Sequence, residues 1–125
     1  MLITTLSEIK RLGRAVEFDC GMVSNRFLLK SDGMGFTMTL TQIPVGDWRH
    51  WHYKNHLEAC YCIKGKGILC NVKTHQDFLI EPGTLYALDM HDDHEFKALE
   101  YTELICVFNP PLVGREKHNS DGSYE

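Results

Sequence analysis

The 125-residue sequence lacks any apolar run approaching a membrane span, which excludes a transmembrane helix. It also lacks a Lys/Arg cluster: 13 basic residues stand against 17 acidic ones for a net charge of -4, so there is no electrostatic footprint for nucleic acid. The N-terminus, Met1-Leu2-Ile3-Thr4-Thr5-Leu6, has no basic start followed by an apolar run and a small-residue cleavage site, and predicts a soluble, cytoplasmic protein. The five cysteines, Cys20, Cys60, Cys62, Cys70 and Cys106, are odd in number and contain no C-x-x-C pair. A disulfide framework and a zinc cluster with ligands at turn spacing are therefore disfavoured, and reduced, mostly buried thiols are expected. Internal repeats and low-complexity tracts are absent too.

What remains is ordinary globular composition, with 43% hydrophobic and 24% charged residues, enough for one domain over 1–125 with its own core. Thr5 to Leu12 reads as one short helical turn with Ser7 as N-cap. Beyond it, short apolar and β-branched segments alternate with turn signals. The expected strands are Phe27–Lys30, Phe36–Pro44, Leu57–Ile63, Gly67–Val72, Asp77–Ile80, Thr84–Asp89, His94–Leu99 and Glu103–Phe108. Asp32-Gly33, Val45-Gly46-Asp47, Gly65-Lys66-Gly67, Glu81-Pro82-Gly83 and Asp92-Asp93 punctuate them. Eight short strands at this spacing predict an all-β sandwich or closed barrel with little helix. The polar stretch 115–125 reads as a mobile lid or a frayed end.

The segment from Gly46 to Gly65, GDWRHWHYKNHLEACYCIKG, concentrates the chemistry. On an extended strand His52, His56 and Glu58 share a face, which Cys60 and Cys62 continue. A solvated strand edge is the plain alternative. Against it stands Glu58, a carboxylate leading into Ala-Cys-Tyr-Cys-Ile, where an unpaired buried charge is costly.

The spacing of Gly46, His52, Glu58 and Gly65 resembles the first cupin motif, although Lys54 stands where that motif places its second histidine. Pro82-Gly83 with Tyr86 resembles the second, a tyrosine replacing the usual histidine ligand, and His94 follows eight residues later. The resemblance implies a cupin double-stranded β-helix, or jelly-roll, barrel. The runs NHLEACYC, GTLYALDMHDDH and CVFNPPLVGREKHNSDGSY are similar to ectoine synthase, a metal-dependent cupin family, over nearly the whole chain.

That resemblance implies a hydro-lyase that cyclises N-gamma-acetyl-2,4-diaminobutyrate to the compatible solute ectoine with loss of water, a reaction of the osmotic stress response. It places metal ligands at Glu58, Tyr86 and His94. Two oxygens and one imidazole suit iron(II), with zinc(II) the lesser fit. It places proton-handling and positioning groups at Tyr53, His56, Glu116 and His118. A substrate pocket follows from Met22, Arg26, Thr41, Tyr53, Cys106, Phe108, Glu116 and His118, with Arg26 as a two-pronged clamp for the substrate carboxylate. Met22 stands where the family usually has tryptophan, which loosens that wall or alters the substrate. Relatives also imply a homodimer acting on a small molecule, without nucleic-acid or membrane partners. Two rival readings come from the residues: a cupin oxygenase or isomerase with the same metal, against which Tyr86 argues, and a non-catalytic solute-binding barrel.

Overall fold

The computed structural model describes residues 1–125. The chain opens with helix α1 (Leu6–Arg11), capped by Thr5, whose hydroxyl accepts the Glu8 N–H at 3.1 Å. The cap is thus Thr5 and not Ser7, because Thr5 holds the extended backbone that a cap needs. Ten strands follow: β1 (Ala15–Glu17), β2 (Val23–Leu28), β3 (Thr37–Ile43), β4 (Arg49–Trp51), β5 (Leu57–Lys64), β6 (Gly67–Asn71), β7 (Gln76–Ile80), β8 (Leu85–Leu88), β9 (His94–Ala98) and β10 (Thr102–Asn109). They form two antiparallel sheets, ordered β1-β2-β3-β10-β5-β8 and β4-β9-β6-β7.

Seven of the expected strands fall where the alternation put them, within a few residues. Phe27–Lys30 is corrected: the strand runs from Val23, and Lys30 already lies in a 3-10 turn over Lys30–Asp32. Its inner positions, Ser24 and Arg26, are polar, so no apolar alternation marked it. The three-residue strands β1 and β4 were not expected either; each is held by pairing across the sheet, with β2 and β9 respectively.

Period-two burial makes the barrel wall. Along β3, Thr37, Thr39, Thr41 and Ile43 face inward; along β10, Thr102, Leu104, Cys106 and Phe108 do the same. β5 contributes Glu58, Cys60 and Cys62, and β9 contributes His94, Phe96 and Ala98. The centre is therefore partly apolar and partly polar. β7 and β8 are the free edges of the two sheets, and they leave Phe78, Leu79 and Leu85 exposed beside the seam between them. No helix is long and apolar enough to cross a membrane.

The turn between β5 and β6 fixes that wall's register. Gly65 has φ +88°, a left-handed value, and a Cβ there would lie 2.7 Å from the Thr102 Cα and closer still to the Tyr101 carbonyl oxygen. Gly65→Ala is expected to lower the unfolding free energy by roughly 2–4 kcal/mol, since strain and a backbone clash act together. Urea denaturation measures this, and a loss below about 0.5 kcal/mol would show that the turn is not constrained in this way.

Candidate active site

Glu58 is the second residue of β5 and points into the barrel with 7% of its surface exposed. No ion pair of the chain reaches it. Burial, and then the nearby Cys106, hold its carboxyl well above the usual carboxylate range. Tyr86 comes from β8, where the register sets it opposite Cys60, and burial raises its hydroxyl as well. Across the barrel, His94 opens β9 and is 1% exposed.

The His94 ring has a defined polarity. Its Nδ1 donates to the Asp92 carbonyl at 2.9 Å, which leaves the Nε2 lone pair inside the protein, and that atom has no hydrogen-bond partner. Burial holds this imidazole neutral, its pKa lowered to about 4. A backbone carbonyl on one nitrogen and a bare, buried lone pair on the other is how metal-binding histidines are set. An uncompensated carboxyl, a phenol and such an imidazole fit a divalent cation; the residues implied at Glu58, Tyr86 and His94 are chemically suited to it.

Two spaces meet at Tyr86. An inner cavity of about 20 Å³ is lined by Met22, Thr41, Tyr53, Glu58, Cys106 and Phe108, among others. It admits about one water molecule. A far larger cleft of about 590 Å³ lies at the β7/β8 seam and touches Tyr86 and His94. Tyr86 belongs to both walls, whereas Glu58 lines only the inner cavity and His94 only the outer cleft.

The remaining expected residues separate into two groups. Tyr53 and His118 meet inside: the Tyr53 hydroxyl lies 2.8 Å from His118 Nε2. Burial, together with Arg26 and His94, lowers the His118 pKa to about 3, so the imidazole is neutral and shares one hydrogen bond with the Tyr53 hydroxyl. Glu116 does not join them. Burial raises its carboxyl, but the N–H groups of Val113 and Gly114, each at 2.7 Å, outweigh burial and leave it lowered. It shares an outer groove of about 310 Å³ with His56 and Lys30. The structure thus divides these four residues into an inner pair, Tyr53 and His118, and an outer pair, His56 and Glu116. The shared face of His52, His56 and Glu58 is corrected. The chain leaves extended geometry between Trp51 and Leu57, so His52 stays half-buried near Asp93 while His56 is buried in the outer groove, against Phe108 and Tyr124.

Arg26 is fully buried and its donors are committed. Nη1 donates to the Gly114 carbonyl at 2.9 Å, Nη2 to the Glu116 carbonyl at 2.6 Å, and Nε to Ser24 Oγ at 3.2 Å. Its guanidinium also sits 5.4 Å from the Tyr124 ring centre. A two-pronged bond to a substrate carboxylate is therefore not available in this state, because the C-terminal segment occupies the fork. That segment folds over the barrel mouth, with Ser123 and Tyr124 buried and the Tyr124 ring stacked on His118 at 4.7 Å. Tyr124, Trp51 and Cys60 line the inner cavity but were not among the expected site residues. The alternation through Glu58 signalled Cys60; nothing local signalled Tyr124.

A ten-stranded antiparallel barrel with an inward carboxyl, phenol and imidazole defines the cupin class. The Cnp3 cupin domain of Schizosaccharomyces pombe overlays with a TM-score of 0.60 at 12% identity, covering 71% of this chain and 64% of that one, which speaks for the fold alone. The particular family is narrower. The ectoine synthase family model matches residues 1–125, and the chain belongs to that family. An L-ectoine synthase of Desulfatibacillum aliphaticivorans is 50% identical over 125 residues, covering 99% of this chain and 96% of the relative. The crystal structure of ectoine synthase from P. lautus overlays with a TM-score of 0.85 at 40% identity, covering 91% of this chain and 81% of that one. The chain is accordingly an enzyme of the ectoine synthase type.

The two lowered imidazoles set a pH dependence for the metal-free protein. In the unfolded chain both protonate near 6.5, whereas the folded chain binds those protons only near 4 at His94 and near 3 at His118. Between these values the unfolded state holds more protons at both sites, so their contribution to stability is full above pH 6.5 and falls as pH drops toward 3, while the raised Glu58 carboxyl contributes with the opposite sign. His118→Gln is expected to flatten the slope by up to about 1.4 kcal/mol per pH unit. Urea midpoints from pH 7 to 4 measure it, and identical slopes would remove His118 from the account.

Proposed function

We propose that this protein closes the ring of N-gamma-acetyl-2,4-diaminobutyrate to ectoine with loss of water, as the names of its relatives indicate for them. The observation that carries the reading is the uncompensated Glu58 carboxyl, sealed in the same barrel as the bare Nε2 of His94. When bound by Glu58, Tyr86 and His94, a divalent ion supplies Lewis-acid polarisation of the acetamide carbonyl. Oxygen-rich ligation with one imidazole favours iron(II).

The chain's own residues supply the rest. The α-amine of the substrate attacks the acetamide carbon, a C=N bond replaces the C=O bond, and the carbonyl oxygen departs as water carrying the two amine protons. Confinement beside Thr41, Cys106 and Phe108 folds the substrate so that amine and carbonyl meet intramolecularly. Tyr53 and His118 form a hydroxyl–imidazole pair at 2.8 Å; both groups stay neutral, so the pair passes a proton from the amine to the leaving oxygen in concert and does not store it. Met22, 3% exposed, completes the wall that Trp51 also lines. A cavity of about 20 Å³ cannot hold this substrate, so part of the segment over the mouth must shift to admit it, and a shift of the Gly114 and Glu116 carbonyls that leaves His118 at Tyr53 frees the Arg26 fork for a carboxylate.

Iron-loaded protein incubated with the acetylated diamine is expected to yield ectoine by chromatography, and a chelator to abolish it. Glu58→Ala should lower turnover by roughly 10²-fold or more, since even outer partners of metal ligands cost 10- to 100-fold. Full turnover by that variant, or no product from folded, metal-replete protein, would overturn the reading. Tyr53→Phe is expected to lower kcat by roughly 10²-fold while leaving metal content unchanged, and an unaltered kcat would discount the relay.

A further inference from the structure

The lumenal face of β5 carries a second heteroatom beyond Glu58 that ring closure does not use. Cys60 lies two residues on, and the register of β5 with β10 sets it directly opposite Cys106. One carboxylate oxygen of Glu58 and the two Sγ atoms all lie within 4.8 Å of one another. The three residues are 7%, 1% and 2% exposed, and none meets a cation of the chain. Donors on one tetrahedral ion stand about 3.8 Å apart for two sulfurs at 2.3 Å, so small side-chain adjustments close the triangle.

The donors also differ in kind from the other set around Glu58. Tyr86 and His94 offer a hard oxygen and an imidazole; Cys60 and Cys106 offer soft thiolates, which select thiophilic ions. All three members sit on neighbouring strands of one sheet, which leaves the side of an ion facing the inner cavity open. We propose that Glu58, Cys60 and Cys106 form a soft-metal site for a thiophilic divalent ion such as zinc or cadmium. Binding exchanges the two thiol protons for two metal–sulfur bonds, with no oxidant or reductant involved. Because Glu58 belongs to both donor sets, a thiophilic ion held here withdraws that carboxylate from Tyr86 and His94. The inference rests on the preceding reading only in that shared ligand.

Cobalt(II) is the probe, added to reduced, metal-free protein and followed by electronic absorption. A sulfur-to-cobalt charge-transfer band in the near ultraviolet is expected, weakened to about half in Cys60→Ser and in Cys106→Ser and lost in the double variant. Tyr86→Phe should retain it. Circular dichroism establishes that each variant is folded. Stoichiometric cobalt without the band, or a band indifferent to both serine substitutions, overturns the site. Ring closure by iron-loaded wild-type protein is measured alongside. Product with no charge-transfer band would sink this site and leave the proposed function standing, whereas the band without product would do the reverse.

Discussion

A carboxyl group sealed inside a barrel wall costs several kcal/mol in its charged form unless something positive meets it, and Glu58 meets nothing positive from its own chain. The protein accepts its neutral form, with the carboxyl raised far above its ordinary range. This tension organises the interior. Around Glu58 the strands present groups that bind cations or protons: the Tyr86 phenol and the Cys60 and Cys106 thiols. The thiols are poised against each other. Burial, and then the neighbouring Cys106, raise Cys60, while the neighbouring Cys60 lowers Cys106.

The second constraint is closure. The Arg26 guanidinium lies wholly within the protein, and a buried guanidinium must satisfy its donors. In this state the carbonyls of Gly114 and Glu116 satisfy it, which binds the C-terminal segment to the mouth. The same fork suits a substrate carboxylate, so tail and ligand compete for one set of donors. Tyr124 adds a stacked ring on His118, which draws the Tyr53–His118 pair into the closed state. Substrate admission and proton handling are thereby tied to one movable element. Glu116, whose carboxylate braces its own loop through Val113 and Gly114, belongs to that element and not to the reacting centre of the closed form.

Much of this was legible along the chain. Apolar and β-branched enrichment between turn signals placed β3, β5 and β10, but it did not reveal every inner face: along β3 the inward positions are Thr37, Thr39 and Thr41, and Met38 and Leu40 point outward. Residue type and position marked Glu58, whereas Tyr86 and His94 were implied by the resemblance that the long matching runs carry. β2 was misplaced because its inward positions are Ser24 and Arg26, polar residues that break the apolar pattern. β1 and β4 were invisible because three residues carry no periodicity, and only pairing with β2 and β9 makes them strands.

By itself, then, the sequence determined the fold class and the family, the first through short segments between turn signals and the second through long matching runs. Tertiary structure alone decided which donor groups meet. It separated His56 and Glu116 from Tyr53 and His118, because the chain between Trp51 and Leu57 is not extended. It turned Arg26 onto a segment some ninety residues away and set Cys60 against Cys106 across two strands. Such pairings come from sheet register and from the path of the closing tail, which are properties of the packed chain that no local spacing encodes.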